Sequence, residues 1–260
     1  MVRLCPLSLW LLAGYGLIAG GPVYTSLSLV NAADSQVGWL APNAIASLYG
    51  TGLAYTTVGL TTEDLSGAQL PTTLPGTGVT ILVGNQAAYP YYISPKQVNF
   101  LIPSNLLPGP VDVQLVVDGL AGPLISVILG PTAPALFELD PQTAVAVRPD
   151  GSVIDAASPV TAGNWAILYG NALGPVVPPI PPGQIAPAAA RIQTIGFVLS
   201  LDGVTVPPDH IEYVGAAPGF AGLYQINLLV PLGTGPNPEI QIGVNNSMSR
   251  TGLHLAVQLP

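Results

Sequence analysis

Two segments carry the same pair of amides at the same spacing, Gln97-Val98-Asn99 and Gln225-Ile226-Asn227, each running through apolar residues to a proline, Pro103 and Pro231. Two residues apart, the amides share one face of a strand, while Val98, Phe100 and Ile102, or Ile226, Leu228 and Val230, share the other. Each amide pairs donors with acceptors, the chemistry needed to read sugar hydroxyls or the exposed strand of a partner. The competing use is to tie down the backbone of a neighbouring loop. A second set is aromatic: Tyr89, Tyr91 and Tyr92 in one short run, with Trp39 and Trp165. Exposed rings of this kind stack on sugars, but tyrosine and tryptophan are also ordinary cross-strand packing residues. Trp165, beside Ala166-Ile167-Leu168-Tyr169, reads as a strand residue contributing to the core.

Other chemistries find little support. No Gly-x-Ser-x-Gly occurs, and a Ser-His-Asp triad would have to be gathered around His210 or His254 from distant positions. His210 follows Pro-Pro-Asp in a turn and His254 alternates outward from the final segment, so both read as surface residues. The only cysteine is Cys5, in the leader, which leaves no thiolate site or disulfide downstream. Asp150 to Asp155 lacks the spacing of a calcium loop, and Gly76-Thr77-Gly78 lacks the later glycine of a nucleotide loop. No catalytic residue, metal site or cofactor is assigned. With one lysine and four arginines, nucleic acid is an unsuitable partner.

The elements that must position the amides recur. Asn43 to Gly50, Val79 to Asn85 and Gln97 to Pro103 are matched by Asn164 to Gly170, Phe197 to Gly203 and Gln225 to Pro231. Tyr49-Gly50 and Tyr169-Gly170 lie 120 residues apart, and the Gln-x-Asn segments 128 apart. Each segment is short, rich in Val, Ile, Leu and Tyr, and ends at Gly, Pro, Asn or Asp. Asp118-Gly119, Asp150-Gly151 and Asp202-Gly203 have the form of two-residue hairpin turns. Leu253, Leu255, Val257 and Leu259 alternate with His254, Ala256 and Gln258, as in a strand. About seven short strands per unit give the size of an immunoglobulin-like β-sandwich. The expectation is all-β: a signal peptide over 1–21, one sandwich over 22–131 and a second over 132–260, with Gly130 to Pro134 as a stiff connector. Val23, Thr25, Leu27 and Leu29 alternate like a strand that closes its own sandwich or adds to the edge of another copy. Residues 51–78 and 171–195 form long loops at equivalent positions, expected to cover the same surface of each unit.

Composition agrees. Thirty glycines and 29 prolines among 260 residues exclude a mostly helical chain, and 49% hydrophobic against 7% charged residues excludes disorder. Arg3, an apolar run from Leu4 to Ala19 and then Gly20-Gly21 have the order of an export signal, the run being too short for a stable membrane span. A secreted or cell-surface location follows.

The stretches Val30 to Ala33, Tyr92 to Pro103 and Val214 to Pro231 resemble the uncharacterised C-terminal domain family of Solibacter-type acidobacterial secreted proteins. The resemblance spans residues 30–258 and implies an exported β-rich tandem module without assigned catalytic residues. Together these readings point to a non-enzymatic structural or interaction module, partnered by itself in an oligomer or filament. The alternative is a carbohydrate-binding module partnered by extracellular polysaccharide. A hydrolase with an unfamiliar triad stands behind both.

Overall fold

The computed structural model describes residues 20–193 and 196–259; the expected signal peptide lies outside them except for Gly20 and Gly21. The first unit contributes β1 (Leu29–Asn31), β2 (Ile45–Tyr49), β3 (Val58–Gly59), β4 (Val79–Val83), β5 (Gln86–Ala87), β6 (Tyr89–Ile93), β7 (Gln97–Leu101), β8 (Gly109–Val117), β9 (Leu120–Ala121) and β10 (Ile125–Leu129). One sheet has the order β1-β2-β7-β6-β3; the other has β10-β8-β4-β5, with β9 added to β8. Setting aside the two-residue β3 and β9, this is the immunoglobulin arrangement, A-B-E-D against G-F-C-C′.

The second unit contributes β11 (Ala135–Leu136), β12 (Glu138–Asp140), β13 (Thr143–Ala144), β14 (Ala146–Val147), β15 (Val160–Thr161), β16 (Trp165–Asn171), β17 (Val176–Val177), β18 (Ala190–Ile192), β19 (Phe197–Leu201), β20 (Val204–Thr205), β21 (Ile211–Ala216), β22 (Leu223–Leu229), β23 (Ile240–Val244), β24 (Ser247–Met248) and β25 (Val257–Gln258). Its sheets repeat the plan: β11-β16-β22-β21-β18-β17, with β14 on β16, faces β20-β19-β23-β24. No helix among the described residues is long and apolar enough to cross a membrane.

Period-two alternation places the core. Val79, Ile81 and Val83 of β4 are buried while Thr80 and Leu82 are partly exposed, and β22 buries Tyr224, Ile226 and Leu228 between partly exposed neighbours. Leu48, Phe100 and Leu115 anchor one apolar cluster and Leu168, Leu199 and Ile242 another. Burying each such side chain contributes about 1.5–3 kcal/mol, which lets the layers hold without crosslinks.

Three expectations are corrected. Val23 to Val30 is not one strand: Val23 bridges Thr51, then Ser26–Ser28 coil into a 3-10 turn before β1 begins. The backbone N–H of Thr25 donates to Ser28 Oγ and that of Ser28 to the Thr25 carbonyl, a local bond that Ser and Thr favour over a ladder. Thr25 and Leu27 are therefore exposed, Leu29 is buried, and the segment pairs within its own unit. Asp150-Gly151 is not a two-residue turn either, because only Gly151 has positive φ. Pro149 holds the preceding position in the type I geometry, and the loop closes through Gly151 N–H to the Arg148 carbonyl. In the final segment, Ala256 is buried with Leu253, Leu255 and Val257, while Leu259 is exposed. The Gly130 to Pro134 connector is bonded at both ends: Gly130 N–H donates to Leu40 O in the first unit and Ala133 N–H to Ala172 O in the second.

Candidate functional site

The two units meet along a seam made largely by the long loops. Rather than covering equivalent surfaces, the long loops pair with each other at 68–70 and 183–185: Leu70 N–H donates to Gly183 O and Ile185 N–H to Ala68 O, both at 2.8 Å. Tyr89, Tyr91, Ile45 and Ile185 pack around buried Leu70, Leu101 and Ala221. The Tyr91 hydroxyl donates to Ala221 O at 2.6 Å, and burial pushes its pKa well above the ordinary value. Trp39 packs against the first core and donates its indole N–H to Pro134 O at 3.3 Å. Tyr89, Tyr91 and Trp39 thus serve the fold instead of forming a stacking platform, and Tyr92 lies across from Asn99 in the β6–β7 ladder.

At the centre of the seam are two fully buried amides that sequence reasoning did not single out. Asn171 accepts from Ile45 N–H at 2.9 Å and donates to Ile45 O at 2.8 Å and Asn31 Oδ1 at 2.7 Å. Asn31 donates to Trp39 O and Ala133 O, and its Oδ1 also accepts from Ala33 N–H. Every polar site of Asn31 is used, so this clasp carries no desolvation penalty from an unpaired group. The signal in the sequence was the repeat itself, since Asn171 occupies the place of exposed Thr51.

The Gln-x-Asn amides do not tie down a loop. Gln97 Nε2 donates to Asn99 Oδ1 at 2.9 Å, and Gln225 Nε2 to Asn227 Oδ1 at 2.8 Å, along their own strands rather than to a loop. Each tether fixes the asparagine through the glutamine amide nitrogen. In the second unit Asn227 also donates to Glu212 Oε2 at 3.3 Å, and Arg191 Nη2 to Glu212 O at 2.7 Å. The Arg191 guanidinium lies 5.3 Å from the centre of the Tyr213 ring. Ala189, Pro218 and these residues line a shallow depression of about 340 Å³. Beneath it the Tyr213 hydroxyl donates to Ala216 O, and burial raises its pKa.

Trp165 is not a core residue. Ala166 and Leu168 face the core, whereas Trp165, Ile167 and Tyr169 lie on the outer face of β16, partly exposed, beside Leu229, Asn227 and Gln225 of β22. Trp165 lines a second depression of about 720 Å³ with Asp150, Thr161, Asn164 and Gln258. The cross-strand pair Trp165–Leu229 occupies the place held in the first unit by Ile45–Leu101. The second unit packs on that first pair: a side chain at Gly222 would run into Leu101 and Ile45, and Leu101 is fully buried while Ile45 is partly so. The second unit leaves the equivalent surface open.

His210 Nδ1 meets only its neighbour Asp209, at 3.2 Å, and His254 Nδ1 lies 3.0 Å from Asn237 O. His254 sits between Thr143 and Glu239, bridging both, so it is partly buried instead of projecting from an edge. Among the described residues, no group of three or more His, Cys, Asp or Glu side chains is placed to hold a metal.

No family model and no curated protein matches the chain. Among solved structures it is similar to the SGBP-B of a Bacteroides ovatus mixed-linkage glucan utilization locus, in complex with a mixed-linkage heptasaccharide, at 14% identity, 85% of this chain, 43% of that chain and a TM-score of 0.35. The surface glycan-binding protein PbSGBP-B of Prevotella bryantii matches at 12% identity, over 89% of this chain and 41% of that one, TM-score 0.29. Domains 5–6 of the S-layer protein SbsC match at 12% identity over 92% and 99%, TM-score 0.26. The chain spans less than half the length of the two glycan-binding proteins.

Proposed function

We propose that the chain is an extracellular, non-enzymatic binding and scaffold module of two sandwiches dividing near Pro131, whose interaction surface is the outer face of β16 and β22. The observation that carries this reading is the contrast between equivalent surfaces. Leu101 is fully buried and Ile45 packs against the second unit at Gly222 and Ala221, whereas both Trp165 and Leu229 remain partly exposed beside tethered amides. A large ring held rigidly on a sheet, next to fixed donors and acceptors, is pre-organised to bind with little entropic cost. The clasp of Asn31 and Asn171 supports the scaffold role by joining the units through satisfied polar contacts. The export-type leader and the likeness to exported acidobacterial modules support the location. Neither histidine has the geometry of an activated triad, which supports a role without catalysis.

Sedimentation with insoluble extracellular material from the native host tests the reading. The wild-type chain is expected to pellet, Trp165→Ala to stay in solution, and no soluble fragments to be released with time. Equal pelleting of the two proteins, or release of fragments by the wild type, would overturn it.

A further inference from the structure

The chemistry of the open face restricts what it can hold. One charge of each sign lines the smaller depression: Arg191 donates to the Glu212 backbone carbonyl and lies over Tyr213, and Asn227 bonds the Glu212 carboxylate. Arg148, in the wall of the larger depression, offers no free fork to an anion. Its two terminal nitrogens donate to the carbonyls of Val153, Ser158 and Pro159 and to the hydroxyls of Ser152 and Ser158, so it braces the loop. Beside the Asp150 carboxylate, which already accepts from Ser152, the groups left for a ligand are neutral amides. Asn164 is exposed, and Gln258 spends its amide nitrogen on Thr161 Oγ1, which leaves its carbonyl available. Such groups match hydroxyls, which also donate and accept.

Shape narrows the class further. Trp165 stands at one end of the face, on β16, and Arg191 at the other, on β18, with β22 and β21 between. Three interstrand steps and two residue pairs along the strands separate them, a diagonal of roughly 20 Å. That length suits a polymer rather than a single sugar. A pyranose with all substituents equatorial presents flat C–H faces to an indole, and β-linkage keeps successive rings in a flat ribbon. We infer that this face binds a neutral, extended β-linked polysaccharide, one ring stacked on Trp165 and hydroxyls further along bonded by Asn227 and Glu212. The inference rests on the β16–β22 face being the interaction surface, and it assigns the class of ligand.

Affinity electrophoresis of the full chain tests it, in gels containing hydroxyethylcellulose, a neutral β-linked glucan, or polygalacturonate, an acidic polymer. Hydroxyethylcellulose is expected to retard the chain at low and high salt alike, and polygalacturonate not to. Trp165→Ala should weaken binding by about tenfold or more. Asn227→Ala removes no apolar contact and should weaken it severalfold, with the thermal midpoint unchanged. Absence of retardation by hydroxyethylcellulose, retention unaffected by both substitutions, or salt-sensitive binding of polygalacturonate would each overturn the inference. If the chain still pelleted with host material through Trp165 while ignoring hydroxyethylcellulose, the face would stand and the ligand class would fall. If Trp165→Ala changed neither assay, both would fall.

Discussion

Replacing Asn171 with alanine tests the clasp that joins the units. The substitution removes three hydrogen bonds, with unequal costs. Asn31 Oδ1 keeps Ala33 N–H as a donor, and Ile45 O keeps Ala32 N–H, so these two losses cost about 1 kcal/mol each. Ile45 N–H has no second partner, and an orphaned donor costs a further 1–3 kcal/mol, roughly. Asn171→Ala should therefore destabilise by about 3–5 kcal/mol, a large fraction of the stability of an ordinary domain. Urea unfolding followed by far-ultraviolet circular dichroism and tryptophan fluorescence measures this. Asn171→Asp sharpens the test: its carboxylate can accept from Ile45 N–H but faces Asn31 Oδ1 and Ile45 O with no proton to offer. It should be worse than alanine at neutral pH and recover as acid protonates it, because burial against two acceptors, with Ile45 N–H as one donor, raises its folded pKa above the unfolded one. A loss below about 1 kcal/mol for alanine would refute the view that the buried amides couple the sandwiches.

Gly222→Ala, at φ +71 and against Leu101 and Ile45, should cost about 1–3 kcal/mol more than Gly219→Ala, at φ +85 with open space around it. Equal thermal shifts for the two would show that Gly222 presses on nothing. Tyr224 is buried beside Gly174 O and Asn43, and desolvation pushes its hydroxyl from the ordinary 10.0 up to about 12. A raised folded pKa means that its contribution is whole below pH 10 and disappears as the pH climbs through about 12. Alkaline unfolding is expected in that window, with a weaker pH dependence for Tyr224→Phe; identical circular-dichroism profiles against pH would refute it.

Much of the scaffold is legible because local rules suffice. Both Asp118-Gly119 and Asp202-Gly203 take positive φ at each position, as their hairpins require. Gly84-Asn85 and Asn245-Asn246 do the same without having been singled out. Asp150-Gly151 escaped because Pro149 fixes a negative φ one residue earlier, a tertiary-independent fact that outweighs the dipeptide pattern. The face of each Gln-x-Asn pair follows from alternation, but its partner does not, since a side chain bonding along its own strand leaves no mark on periodicity. Trp165 failed for a related reason. In Trp165 to Tyr169 both faces are apolar, so alternation separates Ala166 and Leu168 from Trp165, Ile167 and Tyr169 without saying which set lies inside.

Position-by-position comparison of the two copies carries the information that single-segment patterns lack. Core positions barely change between them: Ala46 and Leu48 become Ala166 and Leu168, and all four are buried. The outward positions change in kind. Ile45, pressed under the second unit, becomes Trp165; Ser47, buried beneath the sheet surface, becomes partly exposed Ile167; exposed Thr51 becomes buried Asn171. A duplicated sandwich has to solve two problems that its ancestor did not: joining to its twin, and leaving one surface unjoined. Packing constrains the interior of both copies equally, so divergence concentrates on the faces where their surroundings differ. Asn171 answers the first problem with a polar side chain that mimics a strand residue by pairing with both the N–H and the C=O of Ile45. On the proposed reading Trp165 answers the second, for an indole on an open sheet face gains nothing from the neighbour that packs on Ile45 and everything from a flat apolar surface brought to it from solution.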